Sequence, residues 1–202
     1  MEKLKRFWNL VPALILWAML SIFLWGWIFT FLTDTAPENK LTLFVDAAVP
    51  DSTGLAVRLE ENALSDEIRM VKVHPFSYAM LDGEPLRRAD TYIVRVSHVE
   101  EYWEWFAPLP ERLTAGAAPV GSYQQPIGAS LLLLDGAPYG IRVYDAATGT
   151  GIAQAFIDYH DPALPDEDYY LMLGKESLHL TANEGGQDDK AILLAEAILA
   201  LP

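Results

Sequence analysis

Between Phe7 and Thr33 the chain carries no charged side chain. The heart of that run, Val11 to Leu32, reads VPALILWAMLSIFLWGWIFTFL. As a helix it is roughly 33 Å long at 1.5 Å per residue, which matches a hydrocarbon core about 30 Å thick. Buried core helices seldom run this long with no polar face. Pro12 is expected in the first turn, where its missing N–H costs little. Trp8 is placed at one membrane interface, and Trp25 and Trp27 toward the other. A cleavable leader has a shorter apolar core and a small-x-small site; the flank here, FTFLTDTAPE, offers no A-x-A pattern. An uncleaved anchor is therefore expected. Lys3, Lys5 and Arg6 precede the span, and Asp34 and Glu38 follow it. The positive-inside rule puts the N-terminus in the cytoplasm and residues 33–202 outside the cell membrane. The expected organisation is a basic leader over 1–10, a transmembrane helix over 11–32, a linker over 33–40 and an extracytoplasmic domain over 41–202.

Charge separates along the chain in the same way. The whole chain has a formal charge of −14. Setting aside Glu2, Lys3, Lys5 and Arg6 leaves 27 acidic and 11 basic side chains in residues 34–202, a net of −16. Nucleic acid is excluded as a partner, because phosphate binding needs a basic face. The acidity reads as solubility and keeps the domain off anionic headgroups. With no cysteine, disulfides, thiolate metal sites, cysteine nucleophiles and lipidated cysteines are all out.

Lys40-Leu-Thr-Leu-Phe-Val-Asp46 reads as a buried strand, and Asp51-Ser-Thr-Gly leads into a short helix through Leu64. IRMVKVH, residues 68–74, alternates and reads as a strand whose buried face is left open. Residues 90–96 form a third strand. VEEYWEWF, residues 99–106, is expected as a helix ended by Pro108 and Pro110. This alternation predicts an α/β domain of three layers with a mostly parallel sheet. ASLLLL and YGIRVY flank Asp135-Gly136, a hairpin signal, although the four-residue connection argues against a simple two-residue turn. Residues 169–173 and 177–180 are expected as two strands joined at Gly174-Lys175. DDKAILLAEAILAL, residues 188–201, is an amphipathic helix with acidic residues at its positive end.

Several phrases occur in an order that resembles the N-terminal lobe of the extracellular solute-binding proteins of ABC transporters. They are the opening KLTLFVD, Ala89-Asp-Thr-Tyr-Ile-Val94, the "PL" of Phe106-Ala-Pro-Leu109, the Asp135–Val143 hairpin, and Tyr169-Tyr-Leu171 with Lys175-Glu-Ser177. The likeness covers roughly residues 40–180. It implies a periplasmic-binding-protein-like lobe that binds a solute. It departs from the family in two ways. The usual proteins are longer and close two lobes over their ligand, and they more often carry a cleavable leader or a lipidated cysteine. A single lobe cannot perform hinge closure.

The histidines at 74, 98, 160 and 179 form no HExxH and no i,i+4 pair, so helix-borne zinc has no support. Asp158-Tyr-His160-Asp161 reads as a solvated loop rather than a ligand set. Asp166-Glu-Asp168 lacks calcium-loop spacing. No metal or other cofactor is expected. Ser77, Ser122 and Ser130 sit in no nucleophile elbow, and Gly149-Thr-Gly151 reads as a turn. Trp103 and Trp105 are candidate ligand anchors if exposed, while Tyr102 and Phe106 are expected in the core. Asp46, Tyr78 and Tyr139 are expected near strand ends, where α/β sheets bind ligands. The expectation is a membrane-anchored, non-enzymatic binding protein, held by the lipid bilayer through residues 11–32 and binding an envelope protein or a small solute. The rivals are a transport-associated solute receptor and a membrane-anchored hydrolase.

Overall fold

A computed structural model describes the backbone of residues 2–33, 39–62, 68–75, 84–114 and 131–202, with side chains described from residue 11 to residue 30 in the first stretch. It divides into two units, residues 1–36 and 37–202.

The first unit is helix α1, Glu2–Thr33. Its stretch Val11–Thr30 has a mean hydropathy of 2.0, with none of it buried. It is long and apolar enough to cross a membrane, and a signal sequence near an N-terminus has the same properties. Because α1 begins at Glu2, Pro12 lies inside the helix rather than in its first turn. The helix therefore lacks one internal N–H donor there. Trp25 and Trp27 are each 69% exposed. The side chains of Lys3, Lys5, Arg6 and Trp8 lie outside the described residues.

The second unit is an α/β domain on one mixed sheet. Its strands are β1 (Lys40–Val45), β2 (Met70–Pro75), β3 (Thr91–Arg95), β4 (Phe106–Ala107), β5 (Leu131–Leu134), β6 (Ala137–Asp145), β7 (Thr150–Gly151) and β8 (Tyr169–Gly174). The main order is β2-β1-β3-β8-β6-β5, with β4 beside β8 and β7 beside β6. β1 is parallel to β2 and β3. Every other pairing among the described strands is antiparallel. The expected mostly parallel sheet is thus corrected. The β-α-β pattern of the first half does give parallel strands, but the second half returns by hairpins and reversals, which need no crossover helix.

Helices cover both faces. Period-2 alternation sends Leu41, Leu43, Val45, Ile93, Leu171 and Leu173 to one face, where they meet Leu55 and Leu59 of α2 (Ser52–Asn62) and the apolar side of α5 (Lys190–Leu199). Phe44, Tyr92, Val94 and Met172 point the other way. They meet Leu86 of α3 (Glu84–Arg87), Val99 of α4 (Val96–Tyr102) and Phe106. In β2 the odd-numbered set faces inward, since Val71 is buried and Lys72 exposed. Each full burial of such a side chain is worth about 1.5–3 kcal/mol.

Local differences from the sequence expectations have local causes. The α4 helix starts at Val96, directly from β3, and ends at Tyr102; Trp103–Trp105 form a 3-10 turn and Phe106 enters β4. Pairing with Gly174 and Leu173 of β8 takes over there. The β5–β6 hairpin does turn in two residues: Asp135 and Gly136 have φ of 51° and 82°, as an Asp-Gly type I′ turn requires. Pro138 is absorbed by a register shift at Leu132/Leu133. Residues 177–180 form turns, not a strand, because Asn183 Nδ2 and Asp90 claim their polar groups. Asn183 Nδ2 donates to Gly174 O and Ser177 O, and Ser177 Oγ donates to Asp90 Oδ1 at 2.5 Å.

Candidate functional site

The helices that follow β1 and β3 pack on opposite faces, since α2 belongs to one apolar cluster and Val99 of α4 to the other. The connections therefore diverge at the carboxyl ends of β1 and β3. Such a switch point leaves a crevice that an open α/β sheet uses for ligands. A cleft of about 470 Å³ lies there.

Its polar floor is built from residues that close the central strands. Asp46 follows β1, and its N–H donates to Ile93 O at 2.8 Å. Arg95 closes β3, and its N–H donates to Asp46 Oδ2 at 3.3 Å. The Arg95 Nε lies 3.3 Å from the same carboxylate oxygen, and its Nη2 reaches Tyr169 Oη at 3.1 Å. Because α4 springs directly from β3, His98 lands one turn above Arg95, and its Nδ1 sits 2.6 Å from Asp46 Oδ2. Asp46 and Arg95 are only 6% and 7% exposed. Burial pushes the Asp46 carboxyl up, against the opposing pull of His98 and Arg95. Tyr169, behind them, is pushed up to about 12, chiefly by burial. Its ring packs edge-on to Tyr159, which stacks on Tyr144.

The opposite wall is the 158–164 loop. A bridge between Ala48 and Asp158 holds it to the end of β1, with Asp158 N–H donating to Ala48 O at 2.9 Å. It adds Asp158, His160, Asp161 and Leu164 to the lining. His160 Nδ1 lies 2.8 Å from Asp166 Oδ1, and that bond raises the His160 pKa. The neighbouring acids are engaged by the fold: Glu167 accepts from Ser97 N–H, and Asp168 from Ala146 N–H and Arg142. Among the described residues no group of three or more metal-ligating side chains is gathered.

Of the five residues expected to bind ligand, only Asp46 is placed here. Tyr78 lies outside the described residues, as do Ser77, Ser122 and Ser130. Tyr139 lies near the start of β6. That strand runs in the same direction as β3, because both are antiparallel to β8. Tyr139 therefore sits at the amino edge of the sheet and not beside Asp46. It lines a second cleft there with Trp103 and Trp105. Tyr102 and Phe106 pack with the core as expected. Arg95, His98, Tyr169 and His160 are additions from the structure. A signal for Arg95 exists in the sequence: LTLFVD and TYIVR are apolar strands that each close on a charge. His98 had no comparable signal.

No protein-family model matches this chain, and no curated protein or solved structure matches it either. The likeness to solute-binding lobes rests on the sequence phrases.

Proposed function

We propose that this chain is a single-pass, membrane-anchored binding protein whose α/β domain, similar to a solute-binding lobe, lies outside the cytoplasm and captures a small solute. The observation that carries this reading is the cluster of Asp46, Arg95, His98 and Tyr169 flooring a cleft at the sheet's switch point. A buried, mutually bonded set of polar groups is pre-organised to orient a ligand. The described lining has three carboxylates, Asp46, Asp158 and Asp161, against one guanidinium and two histidines. That excess favours a solute carrying an ammonium or guanidinium group.

The test is calorimetry on the full chain in lipid nanodiscs, with putrescine, spermidine, choline and arginine set against acetate, succinate and glutamate. The reading expects saturable binding of an amine, weakened by Asp158→Asn and Asp161→Asn. Binding confined to the anions, or none at all, overturns it. Protease added to the cytoplasmic side of sealed vesicles is expected to leave residues 34–202 intact.

A second reading, a hydrolase, draws on one observation. A carboxylate bonded to a histidine Nδ1 orients an imidazole as a general base. No Ser, Thr, Cys or Lys is among the described lining residues of the cleft, so water would be the nucleophile. Turnover of an ester panel that disappears in His98→Gln would favour this reading over simple binding.

A further inference from the structure

We propose a second binding site, for a neutral carbohydrate chain, at the amino edge of the sheet. The two clefts are set apart by the β3–β8 pairing. Arg95 faces Tyr169 at the end that carries the solute cleft, and Thr91 faces Leu173 at the other. Arg87 and Arg88 lead into β3 at this second end, and Lys175 and Glu176 leave β8 there. The 3-10 turn Trp103–Trp105 reaches the same edge because β4 pairs with the last residues of β8. Together they surround a cleft of about 980 Å³.

Its chemistry selects the class of ligand. The described lining carries three basic side chains, Arg87, Arg88 and Lys175, and three acidic ones, Glu104, Glu176 and Glu184. With no excess of either sign, the field favours neither an anion nor a cation. A lipid or an apolar helix would strand these six charges without water. What remains is a neutral molecule with many hydroxyls and some apolar faces. Sugar rings have that character: their C–H faces lie on aromatic rings, and their hydroxyls bond to planar charged and amide groups.

The aromatic part is in place. Trp103 is 51% exposed, which is unusual for so large an apolar side chain in a folded domain. Trp105 is fixed beside it by Tyr102, with ring centroids 4.7 Å apart, and by Arg87, whose guanidinium carbon lies 5.8 Å from the Trp105 centroid. Lys175 N–H donates to Trp105 O at 2.8 Å, which ties the turn to the end of β8. Tyr139 extends the aromatic lining from β6. A polar group is also pre-set. Asn183 donates from Nδ2 to two backbone carbonyls, Gly174 O and Ser177 O. Its amide orientation is thereby fixed, and Oδ1 is the end that remains to accept from a sugar hydroxyl.

The test uses the full chain in nanodiscs free of glycolipid and of glycoside detergent, because a maltoside or glucoside headgroup would compete. Cellohexaose, chitohexaose and maltohexaose are titrated by calorimetry and tryptophan fluorescence, beside an anionic oligogalacturonate and a cationic chitosan hexamer. At least one neutral hexasaccharide is expected to bind saturably. Trp103→Ala is expected to weaken it by about tenfold or more, as loss of a central aromatic anchor does. Trp103→Phe is expected to restore most of that loss, and Glu61→Gln, at an exposed position of α2, to leave it unchanged. Because Trp103 is exposed, both variants are expected to keep the parent melting temperature. Three results overturn the proposal: no neutral hexasaccharide binds, Trp103→Ala binds as the parent does, or a charged oligosaccharide binds more tightly than every neutral one.

Discussion

Asp46 Oδ2 serves His98 and Arg95 at once, with His98 Nδ1 at 2.6 Å and Arg95 Nε at 3.3 Å. One nearly buried carboxylate therefore holds the end of β1, the end of β3 and the first turn of α4 together. The floor of the cleft and part of the domain's stability depend on the same atom.

Replacing Asp46 by Ala removes the acceptor shared by the Arg95 N–H, Arg95 Nε and His98 Nδ1. These buried donors are then left unmatched on that side, which is expected to cost about 3 kcal/mol. The measurement is the urea midpoint at constant slope. Adding Arg95→Met to Asp46→Ala removes the stranded guanidinium and is expected to recover part of the loss, a coupling read from the double-mutant cycle. A single variant as stable as the parent would contradict the structural role of the pair.

A second buried carboxylate, Asp90, accepts from Ser177 Oγ and, at 2.7 Å, from Thr42 N–H. Ser177 Oγ in turn accepts from His179 N–H at 3.0 Å. These bonds tie the turns after β8 to β1. Ser177→Ala is expected to lower stability by about 1–3 kcal/mol, since it leaves buried polar groups unmatched. Asp90→Ala is expected to cost more than Asp90→Asn, because Asn keeps one acceptor for Thr42. Thermal unfolding of the three variants ranks them.

The two sides of the cleft are expected to respond to pH in the same direction but in different windows. Asp46 has a folded pKa raised above its ordinary 3.8, mainly by burial. The folded state binds that proton more tightly than the unfolded state, so this group adds stability as pH falls through the raised value toward 3.8. His160 is raised above 6.5 by its bond to Asp166. Its contribution is complete below 6.5 and is lost as pH rises through the raised folded value. NMR titration of His160 is expected to show the raised midpoint in the parent and a fall toward 6.5 in Asp166→Asn.

Glycine substitutions are expected to separate crowding from backbone strain. A Cβ on Gly174 would lie 1.9 Å from Ala89 O, a backbone atom that cannot swing aside. Gly174→Ala is expected to cost about 3 kcal/mol, at the upper end of overpacking effects. At Gly136 there is open space but a φ of 82°. Gly136→Ala is expected to cost about 1–2 kcal/mol, from left-handed strain alone. Urea denaturation of the two variants checks both the size and the order of these losses.

Much of the element list was legible because periodicity is local. KLTLFV, TYIVR and KAILLAEAIL each carry enough apolar residues at the right spacing to commit alone. Less was legible where two local preferences compete and a partner decides. VEEYWEWF is helical in spacing, yet its end is taken by β8 as a partner for β4. SLHL alternates like a strand, yet Asn183 and Asp90 bind its polar groups in a turn. Of the candidate site, Asp46 was legible because it closes an apolar strand. Tyr139 was placed at the wrong edge, because strand direction is a property of the sheet and not of YGIRVY.

By itself the sequence determined the 20-residue apolar stretch Val11–Thr30, the acidic domain that follows, and the layering of that domain into helices and strands. Those properties follow from composition and from spacing over a few turns or pleats. Only the tertiary structure decided that β8 lies antiparallel beside β3, and so which residues meet. Asp46, Arg95 and Tyr169 are separated by 49 and 74 residues along the chain yet share one hydrogen-bonded floor. Trp103 and Tyr139 come to the other edge of the same sheet by the same pairing. Contacts of that range are set by strand order and register, which come from the packing of the whole domain rather than from any one segment.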